Sequence, residues 1–126
     1  VSPGQAVRDV LVADPTVAGL VAGRVYPGLI PPRAAFPAIV FTVVSQVPEE
    51  TFEGTAATAL VDSRVQIDCY AKSYDDAQKL AEAVDDALTE LDDQLLRVVR
   101  LDSRDLFDDE LLLHRVSTDF SVWRGR

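Results

Sequence analysis

The chain reads as an α+β fold. The expectation is an antiparallel or mixed sheet of about four strands packed against one long amphipathic helix, with a short helical segment at the N-terminus. Three observations carry it. Within residues 65–70, Val65, Ile67 and Cys69 alternate with Gln66, Asp68 and Tyr70, the period of a strand with one wet face. From Ser73 onward, Tyr74, Ala77, Leu80, Ala81, Val84, Leu88 and Leu91 recur at helical spacing, with Asp75, Asp76, Lys79, Glu82, Asp85, Asp86 and Glu90 on the other face. Such a stripe needs a sheet to cover. Strand-like segments stand on both sides of it, at 38–47 and 111–123.

Taken in order, Ser2, Pro3 and Gln5 make a helix start: a capping hydroxyl, a proline suited to the first turn and a glutamine at capping-box spacing. Val7, Val10 and Leu11 supply a short apolar stripe, which Asp14-Pro15 breaks. A second short helix is expected over 16–21, with Asp14 or Thr16 as its cap and Gly23 past its end. Residues 24–37 contain Pro27, Gly28, Pro31, Pro32 and Pro37, so neither a long helix nor a central strand fits there. Val25 and Tyr26 suit a brief edge strand, and the rest is an irregular connection. Ile39, Val40, Phe41, Thr42, Val43 and Val44 predict a well-buried strand. Residues 48–57, with Glu49, Glu50, Glu53 and Gly54, predict a wide acidic hairpin loop before a second long strand at 58–70. After the helix at 73–91, Asp92-Asp93 mark an exit. Two more strands follow at 96–101 and 111–123, joined by a polar loop at 102–110. In the last strand Thr118, Phe120 and Val122 alternate with Ser117, Asp119 and Ser121.

Composition narrows the function. With 126 residues, 48% of them hydrophobic, the chain is expected to form one domain with one core over 1–126. One cysteine, Cys69, excludes an internal disulfide and points to a reducing compartment. No apolar run reaches the ~18 residues of a membrane span. The start lacks the basic residues and long apolar stretch of a signal peptide. Net charge is −9 with a pI near 4.4. That argues against a tightly held nucleic acid, since phosphate binding needs clustered Lys and Arg. It is compatible with DNA sliding past, which an acidic wall repels.

The candidate chemistry is thin. His114, the single histidine, and Cys69 make an imaginable nucleophilic dyad. Both fall inside strand patterns, where an inert cysteine is the commoner outcome. Asp102, Asp105, Asp108, Asp109 and Glu110 invite a calcium reading, but Leu106-Phe107 stand where an EF-hand loop needs glycine. The helical carboxylates Asp75, Asp76, Asp85 and Asp86 join no histidine in a metal motif. Asp75 and Asp76 suit the positive end of a helix. Gly19, Gly23, Gly28 and Gly54 match no phosphate-binding spacing. Arg97, Arg100 and Arg104 interleave with Asp102 and Asp105, which favours a salt-bridged surface or subunit contact over a DNA site. No catalytic, cofactor-binding or metal-ligating residues are assigned, and no cofactor is expected.

Several stretches are familiar together. They are Arg24-Val25-Tyr26-Pro27, then Pro37-Ala38-Ile39-Val40, then Val65-Gln66-Ile67-Asp68-Cys69-Tyr70-Ala71. Ser73-Tyr74 leading into Ala77, Leu80, Ala81 and Val84 follows, and last comes the stretch from Arg115 through Ser117, Asp119 and Phe120 to Trp123. In this order the chain resembles, over nearly its whole length, the small tail completion or tail terminator proteins of long-tailed phages and gene-transfer-agent-like particles. The resemblance implies an α+β subunit without enzymatic activity. It implies a ring, commonly hexameric, at the head–tail junction of a virion made in the bacterial cytoplasm. Its implied partners are copies of itself, the tail tube protein and a neck protein of the stopper or connector kind. DNA would pass through the lumen without specific binding, and no membrane is involved. Two other readings are another neck or tube ring component and a cellular ferredoxin-like ligand-binding module.

A ring needs one patch to meet a different patch on the next copy. The candidate contacts are Arg24, Tyr26 and Arg33 in the proline-rich connection, and Arg97 and Arg100 in the fourth strand region. Arg115 and Arg124 lie along or beyond the last strand. Glu49, Glu50, Phe52 and Glu53 in the acidic loop are the candidates for reaching the tail tube.

Overall fold

The computed structural model describes the backbone of residues 3–49, 60–89 and 96–125, and the side chains of 4–45, 63–89 and 97–123. The order of elements is α1 (Pro3–Ala13), α2 (Pro15–Val21), β1 (Val25–Pro27), β2 (Ala38–Glu49), β3 (Leu60–Ala71), α3 (Tyr74–Thr89), β4 (Leu96–Asp108) and β5 (Leu113–Gly125). The strands form one sheet in the order β1-β2-β3-β5-β4. Only β1 runs parallel to its neighbour, from Val25 opposite Ile39 to Pro27 opposite Phe41. The other pairings are antiparallel, so the sheet is mixed, as expected, with the brief edge strand as its fifth member.

Local signals account for the helix ends. The side chain of Asp14 accepts from the Val17 amide at 3.0 Å, with Pro15 in the first helical position of α2. Ala22 closes that helix in the left-handed region (φ 50°), and Gly23 follows at φ 82°. Ser73 opens α3, its hydroxyl accepting from the Asp76 amide at 3.1 Å. Asp75 and Asp76 sit in the first turn. The N-terminal cap expected at Ser2 and the helix residues expected at 90–91 lie outside the described residues.

Period-2 patterning then decides which face is dry. The helices cover one side of the sheet. Val7 and Leu11 of α1, Val17 and Val21 of α2, and Leu80, Val84 and Leu88 of α3 meet Ile39, Ile67, Phe120 and Val122. Phe120 is fully buried, its row running from Val65 on one side to Arg100 on the other. On the opposite face a smaller cluster of Val40, Tyr70 and Leu113 is capped by Ile30 and Phe36 from the proline-rich connection. Beside this cluster the centre of that face is polar, with Gln66, Asp68, Ser117 and Asp119 in adjoining rows of β3 and β5.

Three expectations need correction. Residues 102–108 are not a loop but the second half of β4, paired from Asp102 opposite Asp119 to Asp108 opposite Leu113. A β-bulge between Arg100 and Asp102 shifts the register there. This half is an edge strand exposed on both faces, so it lacks the hydrophobic alternation that marks half-buried strands. Leu111 and Leu112 belong to the turn before β5, with Leu112 in the left-handed region (φ 55°). β2 continues past Val47 to Glu49, and its partner strand begins at Leu60. The acidic loop beyond, including Glu50, Phe52 and Glu53, lies outside the described residues.

Candidate assembly surface

The residues first considered for chemistry are committed elsewhere. Cys69 is buried in the core row between Ile39 and Val116. Burial, with Asp68 adding, pushes its thiol far above the usual range, so it stays protonated and a poor nucleophile at neutral pH. His114 is held edge-on between Tyr74 at 6.0 Å and Phe107 at 5.0 Å. The carboxylates once grouped as a loop serve separate purposes. Asp102 pairs with Arg104, and Asp105 accepts from Gln78 at 2.9 Å and from the Tyr74 hydroxyl at 3.4 Å. Asp108 accepts from the amides of Glu110 and Leu111. These last bonds close the turn into β5.

The surface offers something different: two open sheet edges. β4 is one. Its outer side pairs with no strand among the described residues. It spans 13 residues, includes neither proline nor glycine, and exposes Val99, Leu101, Leu106 and Phe107. Arg97, Arg100, Asp102, Arg104, Asp105 and Asp108 punctuate it, which blunts non-specific pairing, while its unpaired backbone row remains a template for a matched strand. Polar clamps hold β4 against α3. Asp105 reaches Tyr74 and Gln78 as above, and Arg100 meets Asp85 at 3.5 Å. Behind the strand, the hydroxyls of Ser103 and Thr118 lie 3.2 Å apart.

The second open edge is the upper half of β2. β1 covers β2 only as far as Phe41, where the Gly28 amide donates to the Phe41 carbonyl at 2.9 Å. Beyond that point residues 42–49 have β3 on one side and no strand on the other among the described residues. Where β1 stops, a shallow apolar notch opens, lined by Gly4, Gln5, Arg8, Pro27, Gly28, Phe41, Thr42 and Val43. Gly4 lets α1 approach closely there: a Cβ on it would come within 3.1 Å of the Val43 side chain and 3.2 Å of the Phe41 ring, which would have to give by a few tenths of an ångström.

The sequence-predicted contact residues divide between these edges and the interior. Arg97 and Arg100 are exposed on β4. Tyr26 lies half-buried on β1. Arg24 is a tether: its Nε donates to the Pro37 carbonyl at 2.9 Å, tying down the connection. Arg33 is exposed in that connection with φ 62°. Arg115 belongs to neither edge. It lies 3.4 Å from buried Asp68, an ion pair without an aligned Nε hydrogen bond, with its guanidinium 5.9 Å from the centre of the Tyr70 ring. Glu49 ends β2 and Arg124 is next to last in β5, with side chains outside the described set. Phe107, Leu106, Val44 and the notch were missed. A glycine at the head of an otherwise good helix was the one available signal.

Comparison with known proteins gives these edges a context. The family model described as tail completion protein gp17 matches residues 5–124. No curated protein matches the chain. Among solved structures, a chain from the virion of a native gene transfer agent particle has the same fold, with a TM-score of 0.73 at 21% identity over 99% of this chain and 96% of that one. The match spans nearly every element from α1 to β5, so the chain belongs to the tail completion protein gp17 family, structural proteins of phage tails.

Proposed function

We propose that the chain is the subunit of a ring, six copies in the simplest case, that closes the finished tail tube and joins it to the capsid neck. The observation that carries this reading is the family match across the whole fold, on a sheet with two open edges at opposite ends. A subunit working by shape needs such edges and needs no convergent acid, base or nucleophile. On this reading the chain is not an enzyme. Its partners are its own copies, the tube protein on one side and a stopper or connector protein on the other, at the head–tail junction.

DNA passes through without being held. Six copies at −9 each would carry roughly −54, and a lumen sharing that sign repels phosphate. The acidic stretch at 48–57 is proposed to reach the tube. Imaging the neck of the assembled particle at side-chain resolution tests the reading. The expected image is a single ring of this chain between tube and connector. Finding it in another position, or as isolated copies, would reject it.

A further inference from the structure

We infer that β4 of one copy adds as a strand to the open half of β2 of the next, seating Phe107 in the notch beside Gly4, Pro27 and Phe41. The inference rests on the ring reading above and names the surface that closes it. Strand direction comes first. From β2 through β3 and β5 to β4 every pairing is antiparallel, and these strands are four in number. An even count makes the two outer strands run in opposite senses. A second copy moved sideways without being inverted therefore presents its β2 antiparallel to the first copy's β4. That is the motion a cyclic ring demands, one patch meeting a different one each time.

The faces agree as well. Phe107 lies opposite His114, on the side of the sheet that carries α3. Phe41 and Val43 point to that same side, under α1. β1 then sets the register. It occupies β2 up to Phe41, so the incoming strand can only use residues 42–47, before Pro48 removes a donor. Phe107 is level with Pro37 in its own sheet, by way of His114 and Ala71. To stand opposite Val43 it must rise six residues, about 20 Å. The sheet from β2 to β4 is roughly 19 Å wide at ~4.8 Å per strand. Equal rise and width mean a strand tilt of about 45°, at the upper end of the range of ~35–45° for closed sheets.

Charge fits the same placement. Arg8 lines the rim of the notch and is exposed, with no ion pair among the described residues. The incoming strand brings one carboxylate on the same face as Phe107, that of Asp105, which already accepts from Gln78 and Tyr74. Exposed apolar residues supply the remainder, with Val44 at 54%, Leu106 at 41% and Phe107 at 50%. Backbone pairing gives the affinity and the seated ring gives the register, the usual logic of strand addition.

With Phe107 opposite Val43, Leu106 falls beside Val44, the residue that a β-bulge in β2 leaves without a partner in β3, which sets the test. Val44→Cys and Leu106→Cys proteins are mixed and oxidised, with buried Cys69 left in place. A disulfide-linked pair should form between the two variants, and the double variant should give a ladder of linked copies. Adding Phe107→Asp should cut the yield about tenfold with an unchanged circular dichroism spectrum and a melting temperature lowered by no more than a few degrees. Leu106→Cys linking to itself would mean a twofold β4–β4 pairing and overturn the inference. Rings that form without the Val44–Leu106 link would overturn it too, while leaving the ring reading intact. A protein forming no assembly at its highest soluble concentration overturns it as well, and the particle image then decides the ring reading separately.

Discussion

Phe120 and Phe107 are the same residue type on the same face of adjacent strands, and truncating each to alanine should have very different consequences. Phe120 is fully buried, between the β3 row at Val65 and the β4 row at Arg100. Phe107 is 50% exposed and has one ring contact, edge-on to His114 at 5.0 Å. Phe120→Ala loses the transfer free energy of a whole ring and leaves a void that packed strands cannot close, about 3–5 kcal/mol. Phe107→Ala loses under about 1 kcal/mol. Against a total stability of roughly 5–15 kcal/mol, the first change is a large fraction and the second a small one. At a urea slope of about 2 kcal/mol per molar, Phe120→Ala should lower the midpoint by roughly 2 M. The assay is urea unfolding followed by tryptophan fluorescence and circular dichroism, at a dilution where the wild type is monomeric. Equal midpoints for the two variants would refute the burial argument, and with it the assignment of β5 facing.

The remaining expectations concern single contacts. Asp14→Ala removes the cap on α2 and should cost about 1 kcal/mol, read as a fall of a few degrees in melting temperature. Arg115→Ala leaves buried Asp68 with only the Gln66 amide, at 3.1 Å, among the described residues. It should cost about 2–3 kcal/mol, part of which returns in the Arg115→Ala/Asp68→Asn double variant, as a double-mutant cycle in urea will measure. Alkali should destabilise the fold. Burial first, then Asp68, raises the Cys69 thiol above its ordinary 9.0. Burial also raises Tyr70 above 10.0, with Asp68 and Asp108 adding and Arg115 opposing. The unfolded chain ionises first, so stability is complete below about pH 9 and falls as pH rises past it. Cys69→Ala should move the onset to about pH 10, and a melting temperature flat from neutral pH upward in the wild type would contradict this.

Much of the architecture was legible because it is local. The alternation at Val65, Ile67 and Cys69 needs no knowledge of a partner strand, and the stripe from Ala77 to Leu88 needs none of what it covers. Asp14 and Ser73 cap the amides of the residues that follow them. The family resemblance, carried by the same patterned stretches, was also available from the chain alone. The placement of the candidate contact residues was not, for a physical reason.

An arginine looks alike in sequence whether it is exposed like Arg97, tied to a carbonyl like Arg24, or set beside a buried carboxylate like Arg115. Sheet register decides among these, and register is a relation between distant segments. The second half of β4 was hidden for a related cause. With solvent on both faces, Ser103, Asp105 and Phe107 show no period that distinguishes a strand from a loop. Local periodicity and capping thus determined which segments become helix or strand. Only the tertiary structure decided which strand edges stay open, because an edge is open or closed according to how far its neighbour extends, and β1 ends at Pro27.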